Sequence, residues 1–208
     1  MTLDGVFARL LREPGVEEQL ELRSSLGFMA LHGGNQDRVT DVIAREAAER
    51  AGASLYAVVQ PAHLRWHIPS WRYTPVASPR LAAFLDHVDV VVSVHGHGAD
   101  AFWMDWQPPA EWYPRWRPEE RVLLGGRNRE LASRVAGALR DALPGCPVVD
   151  DLDAIPRGVR GLHRDNPVNL TRGGGVQVEL PPQVRGLRPS SPPVAIDIVA
   201  GALAAVAR

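Results

Sequence analysis

The sequence predicts an α/β sandwich on a mostly parallel central sheet, with room for an antiparallel edge. Three observations carry this expectation. Short apolar runs alternate with segments of helical period. The run over residues 88–94 is so rich in valine that it suits a strand covered on both faces. Two such runs end in a histidine followed by glycine, the pattern expected at the carboxyl edge of an open sheet, where ligand chemistry gathers.

Taken in order, residues 26–31 read as a strand leading into His32-Gly33-Gly34-Asn35-Gln36-Asp37. A helix follows over about 39–51, with Val39, Val42, Ile43 and Ala47 on one face and Gly52 as its stop signal. Residues 55–60 form the next strand. Pro79 to His87 make a short helix that feeds the 88–94 strand and then His95-Gly96-His97-Gly98. Residues 121–124 are a strand, 128–143 a helix with Leu131, Val135 and Leu139 in register, and 147–149 the start of another strand. Residues 176–180 and a final helix after Pro192 and Pro193 complete the pattern, which contains no internal repeat.

Composition narrows the function classes. A chain of 208 residues that is 45% hydrophobic and 23% charged suits one folded domain spanning 1–208. A net charge of −1 with scattered arginines gives no field for nucleic acid, so no nucleic-acid partner is expected. The single Cys146 cannot form an intramolecular disulfide. That count, with no leader pattern and no membrane-length apolar stretch, predicts a cytoplasmic protein without a membrane partner. Residues 101–118 form an unusual excursion, with Trp103, Trp106, Trp112, Tyr113 and Trp116 among four prolines. It suits a wall over a crevice or, equally, a contact between copies in a homo-oligomer.

The histidine segments offer a split metal site. A glycine directly after His32 and after His95 is expected to let the chain turn sharply and leave each imidazole projecting into a crevice. Two neutral imidazoles and one carboxylate hold zinc with its fourth position open to water, which is hydrolase chemistry. His32, Asp37 and His95 are the candidate ligands. Asp37 also suits a cap for the following helix, and His97 is an alternative to His95. In Val176-Gln177-Val178-Glu179-Leu180, strand alternation puts Gln177 and Glu179 on one face, so Glu179 is the candidate catalytic base. An arginine is expected to stabilise an oxyanion or grip a substrate carboxylate, with Arg185, Arg127, Arg164 and Arg172 as candidates in that order. Asn166 and Asn169 suit either substrate orientation or turn capping.

HGGNQD after one strand, SVHG at the end of a second, GGRNRELA, and NPVNLTRGGGVQVELP occur in that order between about residues 26 and 185. Jointly they resemble the poly-γ-glutamate hydrolase family. The resemblance implies a zinc amidohydrolase with a three-layer α/β/α sandwich of zinc carboxypeptidase-like fold and a mostly parallel or mixed sheet. It also implies about one zinc per chain and an anionic γ-glutamyl polymer or peptide as substrate. His32, Asp37 and His95 match the family's ligands and Glu179 its general base. The family usually has glutamate where Asp37 stands, so the carboxylate arm is one methylene shorter and its loop must come closer. Carboxypeptidase or deacylase activity on small acylamino acids is the enzymatic alternative, and a noncatalytic ligand-binding or assembly module the alternative of another class.

Overall fold

The computed structural model describes residues 5–98, 120–192 and 195–207. The aromatic excursion over 101–118 lies outside the described residues. Among these residues seven strands make one sheet: β1 (Glu17–Glu21), β2 (Leu26–Gly34), β3 (Ser54–Gln60), β4 (Val90–Gly96), β5 (Val122–Gly125), β6 (Val148–Val149) and β7 (Gly175–Leu180). Their order is β1-β3-β2-β4-β7-β5-β6. The middle four, β3, β2, β4 and β7, are mutually parallel. β1 runs antiparallel to β3 and β5 antiparallel to β7, so the sheet is mixed, with β6 parallel to β5 at its far edge.

Among the described residues five α-helices accompany the strands: α1 (Gly5–Leu10), α2 (Thr40–Ala51), α3 (Pro79–His87), α4 (Arg129–Ala142) and α5 (Ala195–Ala204). Each sheet face has its own core. On one, Phe28, Val92, Val94, Val176 and Val178 pack with Ile43 of α2, Leu131, Val135 and Leu139 of α4, and Val199 and Leu203 of α5. On the other, Met29, Leu31, Tyr56 and Val58 meet Phe7 and Leu10 of α1 and Leu81 and Phe84 of α3. The result is the expected three-layer α/β/α sandwich. Each such side chain removed from water contributes roughly 1.5–3 kcal/mol, which makes the central strands a rigid base for whatever sits at their ends.

Helix boundaries follow local chemistry. Gly52 ends α2 with φ 60° and donates its N–H to the carbonyls of Ala48 and Glu49. The Ser78 side chain accepts from Leu81 N–H to start α3, with Pro79 in the first turn, and Asn128 accepts from Leu131 N–H to start α4. α1 and β1 have no counterpart in the sequence reading. α1 is only six residues long, and β1 is the acid-rich edge EEQLE, which lacks an apolar signal. Among the described residues no helix is long and apolar enough to cross a membrane.

Candidate metal centre

β2 and β4 are parallel neighbours, so His32 and His95 emerge at the same end of the sheet. Simple alternation alone does not bring their rings together. Met29 and Leu31 belong to the α1/α3 face, and strict period-two geometry sends His32 to the opposite one. The pairing of β2 with β3 shifts register between Ala30 and Gly33. A bulge of this kind re-aims a side chain, and His32 lands on the face of Ser93 and His95. Its Nδ1 is 3.2 Å from Nδ1 of His95. Neither Gly33 nor Gly96 adopts positive φ, so neither makes the sharp turn expected of it; β2 runs through Gly33 to Gly34, which takes φ 68°, and β4 ends at Gly96. Gly96 serves close approach instead, because a Cβ there would lie 2.4 Å from a terminal nitrogen of Arg185.

Asp37 does not cap α2 with its side chain. Val39, at φ 68°, occupies the N-cap without a side-chain cap, and Thr40 is satisfied by the Asp37 carbonyl. The carboxylate therefore reaches back. Oδ2 lies 3.4 Å from His32 Nδ1 and 3.9 Å from His95 Nδ1, and accepts the N–H of Gly96 at 3.1 Å. The short aspartate arm is accommodated by a tight loop, in which Asp37 N–H donates to the His32 carbonyl at 2.7 Å. One donor atom from each of His32, Asp37 and His95 lies within 4.8 Å of the others.

The donor set fits a cation such as zinc. His32 Nε2 can only donate to the Ile68 carbonyl at 2.8 Å, which keeps its proton on that nitrogen and leaves the Nδ1 lone pair facing the cluster. Ser93 Oγ holds His95 Nε2 at 2.9 Å and so orients the second ring, the hydroxyl being able to donate or accept there. The 3.2 Å gap between the two Nδ1 atoms is close to the edge of a tetrahedron with bonds of about 2.0 Å. His97 is not in the cluster; its Nε2 donates to the Arg121 carbonyl.

Without an ion, one proton favours His32. Burial alone lowers its pKa, but the hydrogen bond and charge of Asp37 outweigh burial and raise it. Burial likewise opposes ionisation of Asp37, and the His32 hydrogen bond, both imidazoles and Gly96 N–H prevail to lower its pKa. His95 is driven down to about 3, first by burial and then by the neighbouring His32 charge. Tyr73, missed by sequence reasoning, packs edge-on to His32 at 5.4 Å, and its buried hydroxyl has no partner among the described residues.

β7 adds the fourth group. Glu179 is the register partner of His95 and lies fully inside the protein, 5% exposed. Burial, then the charge of Asp37, pushes its carboxyl up to about 8. Gln177 Nε2 donates to Glu179 Oε1 at 2.8 Å, and Asn166 Nδ2 donates to Gln177 Oε1 at 3.0 Å, which fixes the sense of the Gln177 amide.

The remaining sequence candidates divide. Arg185 is buried beside the cluster, donating to the carbonyls of Arg38 at 3.0 Å and His97 at 2.9 Å. Arg172 instead pairs with Asp89 at 3.2 Å, just before β4 begins. That is the opposite end of the strand from His95, roughly 20 Å away. Arg127 is directed to the Leu162 carbonyl and Arg164 is an exposed neighbour of Asp165. Asn166 braces Gln177, and Asn169 ties Arg127 N–H to the carbonyls of Gly161 and His163. Arg127 and Asn169 are thus occupied in satisfying backbone groups of the neighbouring polar segments. The cavity adjoining Asp37, of about 420 Å³, is lined by Arg185 and by three arginines not singled out in the sequence, Arg38, Arg65 and Arg188.

Residues 9–102 and 115–187 match the family model for poly-gamma-glutamate hydrolase. The chain belongs to the poly-gamma-glutamate hydrolase family. This family of hydrolases also provides a structural likeness: a bacteriophage poly-gamma-glutamate hydrolase superposes with a TM-score of 0.69 at 20% identity, covering 92% of this chain and 87% of that one. The zinc-free apo form of YNDL gives a TM-score of 0.65 at 18% identity, covering 92% and 88%. At such identities these two likenesses show the shared fold. No curated protein sequence matches the chain. In this member of the poly-gamma-glutamate hydrolase family, the residues of the matched segments include all four of His32, Asp37, His95 and Glu179.

Proposed function

We propose that this chain is a zinc-dependent amidohydrolase that cleaves γ-glutamyl amide bonds in poly-γ-glutamate or related γ-glutamyl peptides. The observation that carries the reading is the convergence of two Nδ1 atoms and one carboxylate at the sheet edge, with Glu179 in register beside His95.

His32, Asp37 and His95 would hold the ion, and the contacts to Ile68 and Ser93 keep both Nδ1 atoms turned toward it. Bound zinc supplies Lewis acidity, lowering the pKa of a water to ≈ 7 and polarising a carbonyl. Glu179 accepts the proton of the attacking water and returns it to the departing amine nitrogen, which must be neutralised to leave. Burial raises the carboxyl to about 8 in the metal-free protein, and the positive charge of a bound ion would lower it from there toward the ionised form a base needs. Gln177 and Asn166 act as positioning residues: they hold Oε1, leaving Oε2 for the proton transfer. Arg185, its guanidinium seated over Gly96, stabilises negative charge developing on the substrate oxygen.

The test is hydrolysis of poly-γ-glutamate by zinc-loaded and chelator-stripped protein, with α-linked polyglutamate and N-acyl amino acids in parallel. Zinc-dependent cleavage of the γ-linked polymer alone supports the assignment. Preference for N-acyl amino acids transfers the assignment to a small-substrate deacylase. Binding of the polymer with no cleavage under any metal supports a noncatalytic module.

A further inference from the structure

The cavity beside the metal cluster departs from the charge balance of the chain. Net charge overall is −1, yet Arg38, Arg65, Arg185 and Arg188 all line this one cavity and Asp37 is its only carboxylate among the described residues. Arg38 comes from the loop after β2, Arg65 from the loop after β3, and Arg188 from the segment after β7. Three separate chain segments thus bring guanidinium groups to one concavity. Packing does not require them there, since all three side chains are exposed.

One buried polar atom points the same way. Arg185 is 6% exposed and both of its terminal nitrogens donate to backbone carbonyls, but its Nε has no partner among the described residues. A buried donor left unpaired is costly, and a ligand acceptor entering the cavity is the group that satisfies the Arg185 Nε.

We propose that Arg38, Arg65 and Arg188 form a carboxylate subsite that grips a free α-carboxylate of the glutamyl unit adjoining the bond placed at the metal cluster. The proposal rests on the γ-glutamyl reading above and names the residues that set its specificity. A γ-linked chain leaves one α-carboxylate free on every unit, held close to the backbone. Guanidinium forks match a carboxylate bidentately, where lysines supply only point charge. Arg185 faces the reacting oxygen, and the three exposed arginines take the flanking charge. An uncharged γ-linked chain therefore loses the flanking contacts and keeps those at the metal.

Binding separates this subsite from the catalytic assignment. Calorimetry would compare a γ-linked glutamyl tetramer with its α-amide form, on zinc-loaded Glu179→Gln protein carrying Arg65→Gln, Arg188→Gln, both, or Arg12→Gln as an exposed control. The double change is expected to weaken the acid tetramer roughly tenfold or more, on the scale of a lost charge-assisted hydrogen bond, and to leave the amide form unaffected. Added salt should weaken the acid tetramer selectively. Equal affinity for acid and amide forms, or an acid affinity unchanged by the double substitution, overturns the subsite. If arginine-dependent binding is found while the protein with native Glu179 cleaves neither tetramer, the subsite stands and the hydrolase assignment falls.

Discussion

Glu179 and His95 are register partners on adjacent parallel strands, so backbone hydrogen bonding fixes the separation of the proposed base from a proposed ligand. Loops adjust readily, whereas a slip of one residue between β4 and β7 would turn Glu179 away into the core of Val176 and Val178. The pairing gives Glu179→Gln a sharp expected phenotype. The substitution keeps shape and the Gln177 contact, so zinc content should match the native protein while kcat falls by about 10²–10⁴, the usual worth of a positioned acid-base group. Metal analysis and steady-state kinetics on one preparation check both halves; full activity contradicts the assigned role.

Glu179 also sets a pH signature in the metal-stripped protein. Its folded pKa of about 8 lies above the ordinary 4.5, so the folded state binds this proton more tightly than the unfolded chain. The stabilisation is complete below the ordinary value and is lost as pH rises through about 8. His95 runs the other way, with a folded pKa of about 3; its contribution is complete above 6.5 and is lost as pH falls toward 3. Glu179→Gln removes only the first effect. Denaturant unfolding should find the stripped variant more stable than stripped native protein at pH 9, by on the order of a few kcal/mol, with the difference shrinking toward pH 5. No change in the difference with pH contradicts the buried-carboxyl account.

Ser93→Ala tests the orientation of a ligand without touching the cluster. Ser93 sits two residues before His95 on the same strand face and holds Nε2 at 2.9 Å. Loss of a hydrogen bond of this kind typically weakens metal affinity by about 10–100-fold. Competition against a chromogenic zinc chelator measures it, with Ser93→Thr expected to restore part of the affinity.

Gly96→Ala separates the arginine from the metal. The added Cβ meets the Arg185 guanidinium at 2.4 Å, and that side chain is held at both terminal nitrogens. Arg185 must move, so turnover should fall by about tenfold or more while zinc content stays the same. Unchanged kcat would show that Arg185 takes no part in the reaction.

Much of the fold was legible because its strong signals are periodic and local. The Pro79–His87 helix, the Gly52 stop and the Asn128 start all appear in place. β1 escaped because an acidic edge strand has no apolar pattern, and α1 because six residues carry too little period. At the site, His32, Asp37, His95 and Glu179 could be read from strand ends and alternation, and the structure brings them together. What delivers His32 to the correct face could not: the register shift in β2 arises from pairing with β3, and its partner is absent from the local string. The arginines failed for the same reason. Arg127 and Arg172 were candidates by residue type, but long-range pairing sends them elsewhere, and Arg38, Arg65 and Arg188 meet only through three separate loops. Asn166 was readable as polar and loop-bound, yet its work of bracing Gln177 depends on a contact across the fold.

Zinc-edge X-ray absorption on the purified protein, with His95→Ala as comparison, tests the central claim most directly. The account predicts about one zinc per chain, coordinated by two imidazoles and one carboxylate, with one imidazole lost and affinity sharply reduced in the variant. A native spectrum lacking paired imidazoles, or one left unaltered by His95→Ala, would place the ion elsewhere and contradict the account.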